Sequence, residues 1–383
     1  MRFKNVDAFV CSCYLSGCQL GRAGALGIEQ INPSANVSHR EKNFLGEKRM
    51  TIMKMNKGLL TSIGACALAL TVGVSASAAD RTLRFTTQLP AKNFATLNAA
   101  EFGQCVADKT DITIEIYDSA QLYRDKEVPQ AVSSGAIDMG MTTTARFAGT
   151  IPAIEILYVP FAMGSREDII GMLAPGAALR TLLDDELTKT GARPIYWMDY
   201  GTAVFVSKKG NPIRKPGDVK GMKVRVFGKT LGDFVAALGG APTLTSGSEQ
   251  FLAYQRGTVD AGMTGIGSVK SRKLYEVMDV VTRSEHAKIE FLMLINDGVW
   301  GTLSADEQAA MTECGQISEA NLRASIALVE EDAAADTVAR GKEVVVMTAE
   351  DRAAWKAAAQ PVVDAYLANS GELGQKVLEA IGK

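Results

Sequence analysis

An arginine set between valines in a short apolar stretch is the most pointed chemical feature of this chain. Lys223-Val-Arg-Val226 reads as a brief buried strand, bounded by Gly221 and Gly228. Arg225 lies inside it. An arginine at a strand end facing a cleft can hold a planar carboxylate through two parallel hydrogen bonds. Its position equally suits a surface or interdomain ion pair. Thr142-Thr-Thr-Ala-Arg146 follows another strand-like run, at the point where the backbone leaves the sheet. Thr143 and Arg146 are thereby aimed where a ligand would sit, although strand-end threonines also bond commonly to local backbone. The run Pro194-Ile-Tyr-Trp-Met-Asp-Tyr200 ends in an aromatic cluster (Tyr196, Trp197, Tyr200) accompanied by Asp199. Phe227, two residues after Arg225, completes the set.

Enzymatic signatures do not accompany these residues. The chain has no GxSxG, no P-loop and no Rossmann glycine fingerprint after its first strand. Of two histidines, only His286 lies outside the leader region, in the charged stretch Arg283-Ser-Glu-His-Ala-Lys288. Nothing has metal-ligand spacing, so neither metal nor cofactor is expected. Paired-carboxylate chemistry is left open, with Asp199 the acid nearest the expected cleft. Cys105 and Cys314 lie far apart in helical patterns and read as buried small side chains, although an exported protein could join them.

The elements that position these residues occupy the chain after its front. Of 383 residues, 47% are hydrophobic and 22% charged, an ordinary globular composition of about two domains. Met53-Lys-Met-Asn-Lys57, the uncharged run from Gly58 to Val74 and Ala76-Ser-Ala78 form a secretory signal peptide over 53–79. Residues 1–52 then read as upstream of the true start, at Met53 or Met50, or as a disordered extension. Ile63-Gly-Ala-Cys66 superficially matches a lipoprotein box, but the apolar run continues past it to the better cleavage site. Beyond residue 79 the chain carries 32 basic and 39 acidic residues, net about −7, which argues against a nucleic-acid partner. Strands at 82–87, 112–117 and 136–141 alternate with helices at 94–109 and 126–134, implying βαβ units, a mostly parallel sheet and ligands at the strands' carboxyl ends. Further strands are expected at 194–200, 203–207, 259–263 and 290–296, with Gly201-Thr202 marking a crossing into a second lobe. Ser304-Ala-Asp-Glu307 is a capping box. The helix it opens could run to Gly341, on the order of 50 Å, with Met311, Cys314, Ile317, Ala324 and Leu328 as its apolar stripe. Two ordinary helices with an unmarked break would also fit. A helix pair follows Thr348, with Pro361 near a helix start.

This order of motifs resembles the solute-binding subunit of TRAP transporters, the DctP family. Asn211-Pro-Ile-Arg-Lys-Pro-Gly-Asp218 leading into Lys223-Val-Arg-Val226, then Lys273-Leu-Tyr-Glu-Val277, are its most specific parts; Ser119-Ala-Gln-Leu122 and Gly135-Ala-Ile-Asp138 support them. The resemblance implies an α/β, two-lobed periplasmic binding protein with a cleft between lobes and one long helix spanning both. Lobe I would take 80–201 plus about 290–330, and lobe II 202–289 plus about 331–383. Arg225 would clamp a carboxylate, with Thr264 standing where many members have a supporting asparagine. Many members also carry a second arginine where this chain has Ala203. That loss favours one carboxylate over two, and the hydroxyls favour a sugar acid or similar hydroxylated monocarboxylate. Arg225, Thr264, Arg146, Thr143, Tyr200, Asp199 and Phe227 would line the site. The implied partners are the small acid and TRAP membrane permease subunits, with sodium-driven uptake by a monomeric periplasmic receptor that catalyses nothing. Alternatives are a C4-dicarboxylate or aromatic-acid receptor, a receptor feeding a sensor kinase and, in another class, a secreted enzyme.

Overall fold

The computed structural model describes residues 81–382; the expected signal peptide, residues 1–52 and Cys66 lie outside them. The first sheet begins with β1 (Arg81–Thr87), whose Leu83 and Phe85 alternate inward. The helix Phe94–Lys109 carries the chain to β2 (Ile112–Tyr117), parallel to β1, and β3 (Met139–Thr143) joins β1 on its other side, also parallel. The second sheet holds β5 (Lys223–Val226), β6 (Ala241–Leu244) and β7 (Ala261–Gly265), again in parallel around β5. β8 (Val280–Arg283) and β10 (Glu343–Val346) pair with each other at its far side.

β4 (Ala192–Ser207) connects the two sheets. Its first part pairs with β9 (Lys288–Asn296) from Ala192 to Thr202. Its last residues pair with β7 from Ala203 and with β8 from Phe205. The register breaks between Asp199 and Thr202, where Gly201 takes a φ of +82° that favours glycine. Two expected strands are thus one bent strand. The sheet is also less parallel than expected: β9 runs against β3 and β4, and β4 runs against β7 and β8. β4 passes from the first sheet into the second and β9 brings the chain back beside it, without the crossover helices that parallel neighbours require. The result is the two-lobed α/β architecture.

The capping box at Ser304 and Glu307 opens one unbroken helix, Ala305–Ala339, of 35 residues and therefore about 52 Å. Cys314 and Met311 join the main core, and Ala333 and Ala334 pack with Val204, Val206 and Val281 beyond the crossing. Its buried stripe runs through Gly315, Ser318, Leu322 and Ile326 instead of Ile317, Ala324 and Leu328, which face solvent. Small and polar residues fill the contact side because Gly315 approaches Ile195 closely. Cys105 and Cys314, expected as separate thiols, form a disulfide with Cα atoms 5.8 Å apart, tying this helix to Phe94–Lys109. After Thr348 the expected helix pair is present, Ala349–Asn369 and Gly371–Ala380, but Pro361 lies in the interior of the first helix instead of near a helix start.

His286 is buried in spite of its charged neighbours in sequence. Phe205 and Phe234 lie 5.1 and 5.5 Å from its ring, and burial pushes its pKa down to about 3. The folded imidazole therefore stays neutral while the unfolded one takes up a proton below about pH 6.5. Stability from this group is complete above that pH and is lost as pH falls toward about 3. Urea unfolding between pH 4 and 7 should show this slope in the wild type and a flatter one in His286→Phe. Equal slopes would remove His286 as the cause.

Candidate functional site

The parallel strands of the second sheet end where β4 crosses, and Arg225 stands there. It is 3% exposed. Its Nε and Nη2 donate to the Thr245 carbonyl at 3.1 and 2.8 Å, and its Nη1 donates to the Met263 carbonyl at 2.6 Å. Among the described residues no carboxylate pairs with it. Burial without a counter-charge pushes its pKa down to about 10, so it remains a cation at neutral pH. The ring of Phe227 lies 5.5 Å from the guanidinium carbon.

Arg225 opens on a cavity of about 30 Å³ that is also lined by Thr143, Tyr200, Phe227 and Thr264. Thr264 comes from β7, and its hydroxyl has no protein partner among the described residues. Tyr200 shares its hydroxyl with Asn93 at 2.7 Å and Ser268 at 2.9 Å, and stacks on Phe94 with centroids 4.7 Å apart. A side chain at Gly265 would press on that ring, its Cβ only 3.0 Å from Tyr200. Thr143 donates to Asp125 from both backbone and hydroxyl, at 3.1 and 3.2 Å. Arg146 does not line the cavity. Its Nε donates to Asp125, so it sits one layer behind and orients that carboxylate.

Asp199 lies outside the cavity. It accepts from Lys288 Nζ and, at 2.8 Å, from the Gly201 amide, with Arg323 3.9 Å away. Successive residues of a strand point to opposite faces, so the neighbour of Tyr200 faces away from what Tyr200 faces. Tyr196 and Trp197 are likewise core, bonded to Asn98 and Asp184. Lys288→Met would leave Asp199 buried beside fewer positive charges. It should lower unfolding free energy by about 3–5 kcal/mol in urea titration; a change under about 1 kcal/mol would make the pair dispensable.

The sequence profile described as bacterial extracellular solute-binding protein, family 7 (DctP) matches residues 85–369. The chain belongs to that family. It is 28% identical over 308 residues to the C4-dicarboxylate-binding periplasmic protein DctP of Rhodobacter capsulatus, covering 79% of this chain and 91% of the relative. A solute-binding protein of Roseobacter denitrificans is 28% identical over 335 residues, 87% of this chain and 99% of the relative. A TRAP periplasmic solute-binding protein of Roseobacter denitrificans, solved with bound β-D-glucuronate, superposes with a TM-score of 0.73. It has 26% identity and covers 78% of this chain and 98% of its own. These proteins are solute receptors. Among the described residues no helix is long and apolar enough to cross a membrane.

In this DctP-family chain a second guanidinium enters the same cavity from an element that sequence reasoning passed over. Arg272 follows the helix Ile266–Ser271, donates from Nη2 to the Gln88 carbonyl at 3.1 Å, and leaves its buried Nε without a partner. In sequence it stands beside Lys273 as an ordinary basic pair, and no periodicity marks it. Asp125 escaped notice in the same way. A larger cavity of about 400 Å³ is lined by Arg166, Arg283, Glu285, Glu330 and Arg352. Its charges already neutralise one another through the pairs Arg166–Glu330, Arg283–Glu331 and Arg352–Glu285. It is the smaller cavity that retains unneutralised cations.

Proposed function

We propose that this protein is the extracytoplasmic receptor of a sodium-coupled TRAP uptake system and carries a small organic acid, its carboxylate on Arg225, to a membrane permease. The observation that supports this most directly is Arg225 itself: a buried cation with two carbonyl partners, no acid, and an opening to a cavity. Leaving such a charge unpaired is costly, so the site is built for an anion. Thr264 and Tyr200 would contribute hydroxyl contacts, and Arg146 would act through Asp125. The lobes are taken as 80–201 with about 290–330, and 202–289 with about 331–383. Ligand contacts drawn from both, Thr143 from one and Arg225 with Thr264 from the other, exist together only when the lobes are closed, and this couples binding to closure.

The hydroxyl-rich lining, with the glucuronate-bound relative, favours a hydroxylated acid. Ala203 supplies no second arginine, but Arg272 brings one to the same cavity, so two acid groups are accommodated as readily as one. The test is a thermal-shift screen of the chain from residue 80 against several hundred organic acids, followed by calorimetry. Ligand at 100 times its Kd should add about 2.7 kcal/mol of stability. Uptake of the hit into vesicles holding the two membrane subunits, with and without a sodium gradient, tests delivery. No hit among acids of any size would overturn the receptor reading, and turnover of a hit would replace it with an enzyme.

A further inference from the structure

The charges around the small cavity do not balance. Two guanidinium groups line it, from Arg225 and Arg272, and a third, Arg146, stands behind Asp125, the one carboxylate among its lining residues. Asp125 is already bound by Arg146 and by the hydroxyls of Thr142 and Thr143. Arg225 has only backbone carbonyls, and Arg272 only the Gln88 carbonyl. Two positive charges are therefore left for whatever occupies the site. They repel each other: Arg272 is among the groups that lower the pKa of Arg225, and burial pushes Arg272 down as well. A fold that places two like charges in one buried cavity is stabilised by a ligand that answers both.

The two arginines also come from separate supports. Arg225 is fixed in β5 by neighbours on β6 and β7. Arg272 hangs from the turn after the helix Ile266–Ser271, where Lys273 takes a φ of +53°, and reaches across to Gln88. The Gln88 side chain in turn accepts from the Ser248 amide at 3.1 Å. Arg272 therefore sits at a seam between β1's loop and the second sheet, where a bound group would tie the two together.

We propose that Arg272 is the second anion-holding residue of this receptor and that its ligand is a compact, hydroxylated organic dianion, with one carboxylate on Arg225 and the second acidic group on Arg272. The proposal rests on Arg225 being the carboxylate clamp. Arg272 supplies from a different element the charge that position 203 lacks. The free hydroxyl of Thr264 and the Tyr200–Ser268 pair lie in the same lining and suit oxygen atoms between the two acid groups.

Matched acids decide the matter on the wild-type chain alone. Calorimetry with malate and succinate, against 3-hydroxybutyrate, butyrate and glucuronate, should favour the dianions over the monoanions of like size by about 100-fold. Arg272→Gln should bring that ratio to within about threefold, and Arg272→Lys should restore part of it. Raising salt should weaken the dianions more than the monoanions. A wild type that binds monoanions as well as dianions overturns the proposal while leaving Arg225 intact, provided Arg225→Ala still abolishes binding. An unchanged ratio in folded Arg272→Gln overturns it equally. Failure of every acid, of either charge, overturns both readings together.

Discussion

Arg225→Ala should cost the receptor its acid while leaving the ligand-free fold nearly as stable as before. Truncating one partner of a buried, hydrogen-bonded charge pair costs about 2–5 kcal/mol of binding, hence a loss of about 30-fold to several-thousand-fold in affinity. The fold is less affected because two terms oppose each other. Alanine strands the carbonyls of Thr245 and Met263, but it also removes a buried cation that has no acid beside it. Arg225→Lys should fall close to alanine, since an ammonium keeps the charge without the planar fork that bonds both carbonyls and a carboxylate at once. The measurement is calorimetry with the best acid from the screen, paired with a ligand-free melting curve. Affinity within about threefold of wild type in Arg225→Ala would end the clamp assignment.

Removing the disulfide should cost the chain a large part of its stability. Cys105 and Cys314 are separated by 209 residues, so their bond closes most of the folded chain into one loop. The chain-entropy treatment puts such a loop at about 5 kcal/mol, and native disulfides commonly deliver about 2–5 kcal/mol. Cys105→Ala with Cys314→Ala, measured by urea unfolding in the same buffer, should lose free energy in that range while binding acids normally. The bond joins the helices Phe94–Lys109 and Ala305–Ala339, neither of which lines the cavity. A loss under about 1 kcal/mol would mean that the helices hold one another without it.

Much of the site is legible in the sequence because of where strands end. Arg225, Thr143, Tyr200 and Thr264 lie in or directly after strands expected from the sequence, and the lining of the cavity includes each of them. Asp199 was misplaced because naming a strand end does not fix which face each residue takes. Its neighbour Tyr200 is in the cavity, so parity sends Asp199 to Lys288. Arg272 was missed because it belongs to a turn, where neither period applies. The strands β6, β8 and β10 have four residues each and little alternation in β6, whose residues are mostly exposed. The disulfide escaped because helical periodicity says which side of a helix is apolar, not which other helix it meets. The long helix was readable from its capping box, but a stripe of glycine and serine looks polar until its neighbour is known.

The position of β9 has a consequence for the order in which the molecule can be built. This strand, drawn from residues 288–296, lies between β3 and β4 in the middle of the first sheet. A chain that emerges amino end first therefore displays β3 and β4 with bare, unpaired edges until Asn296 has appeared. The long helix that covers the same half follows later still. Neither half can finish on its own, and the late segments close both almost together. Such non-local pairing makes for slow folding. Until those late segments arrive, the same exposed edges leave the chain open to edge-to-edge aggregation.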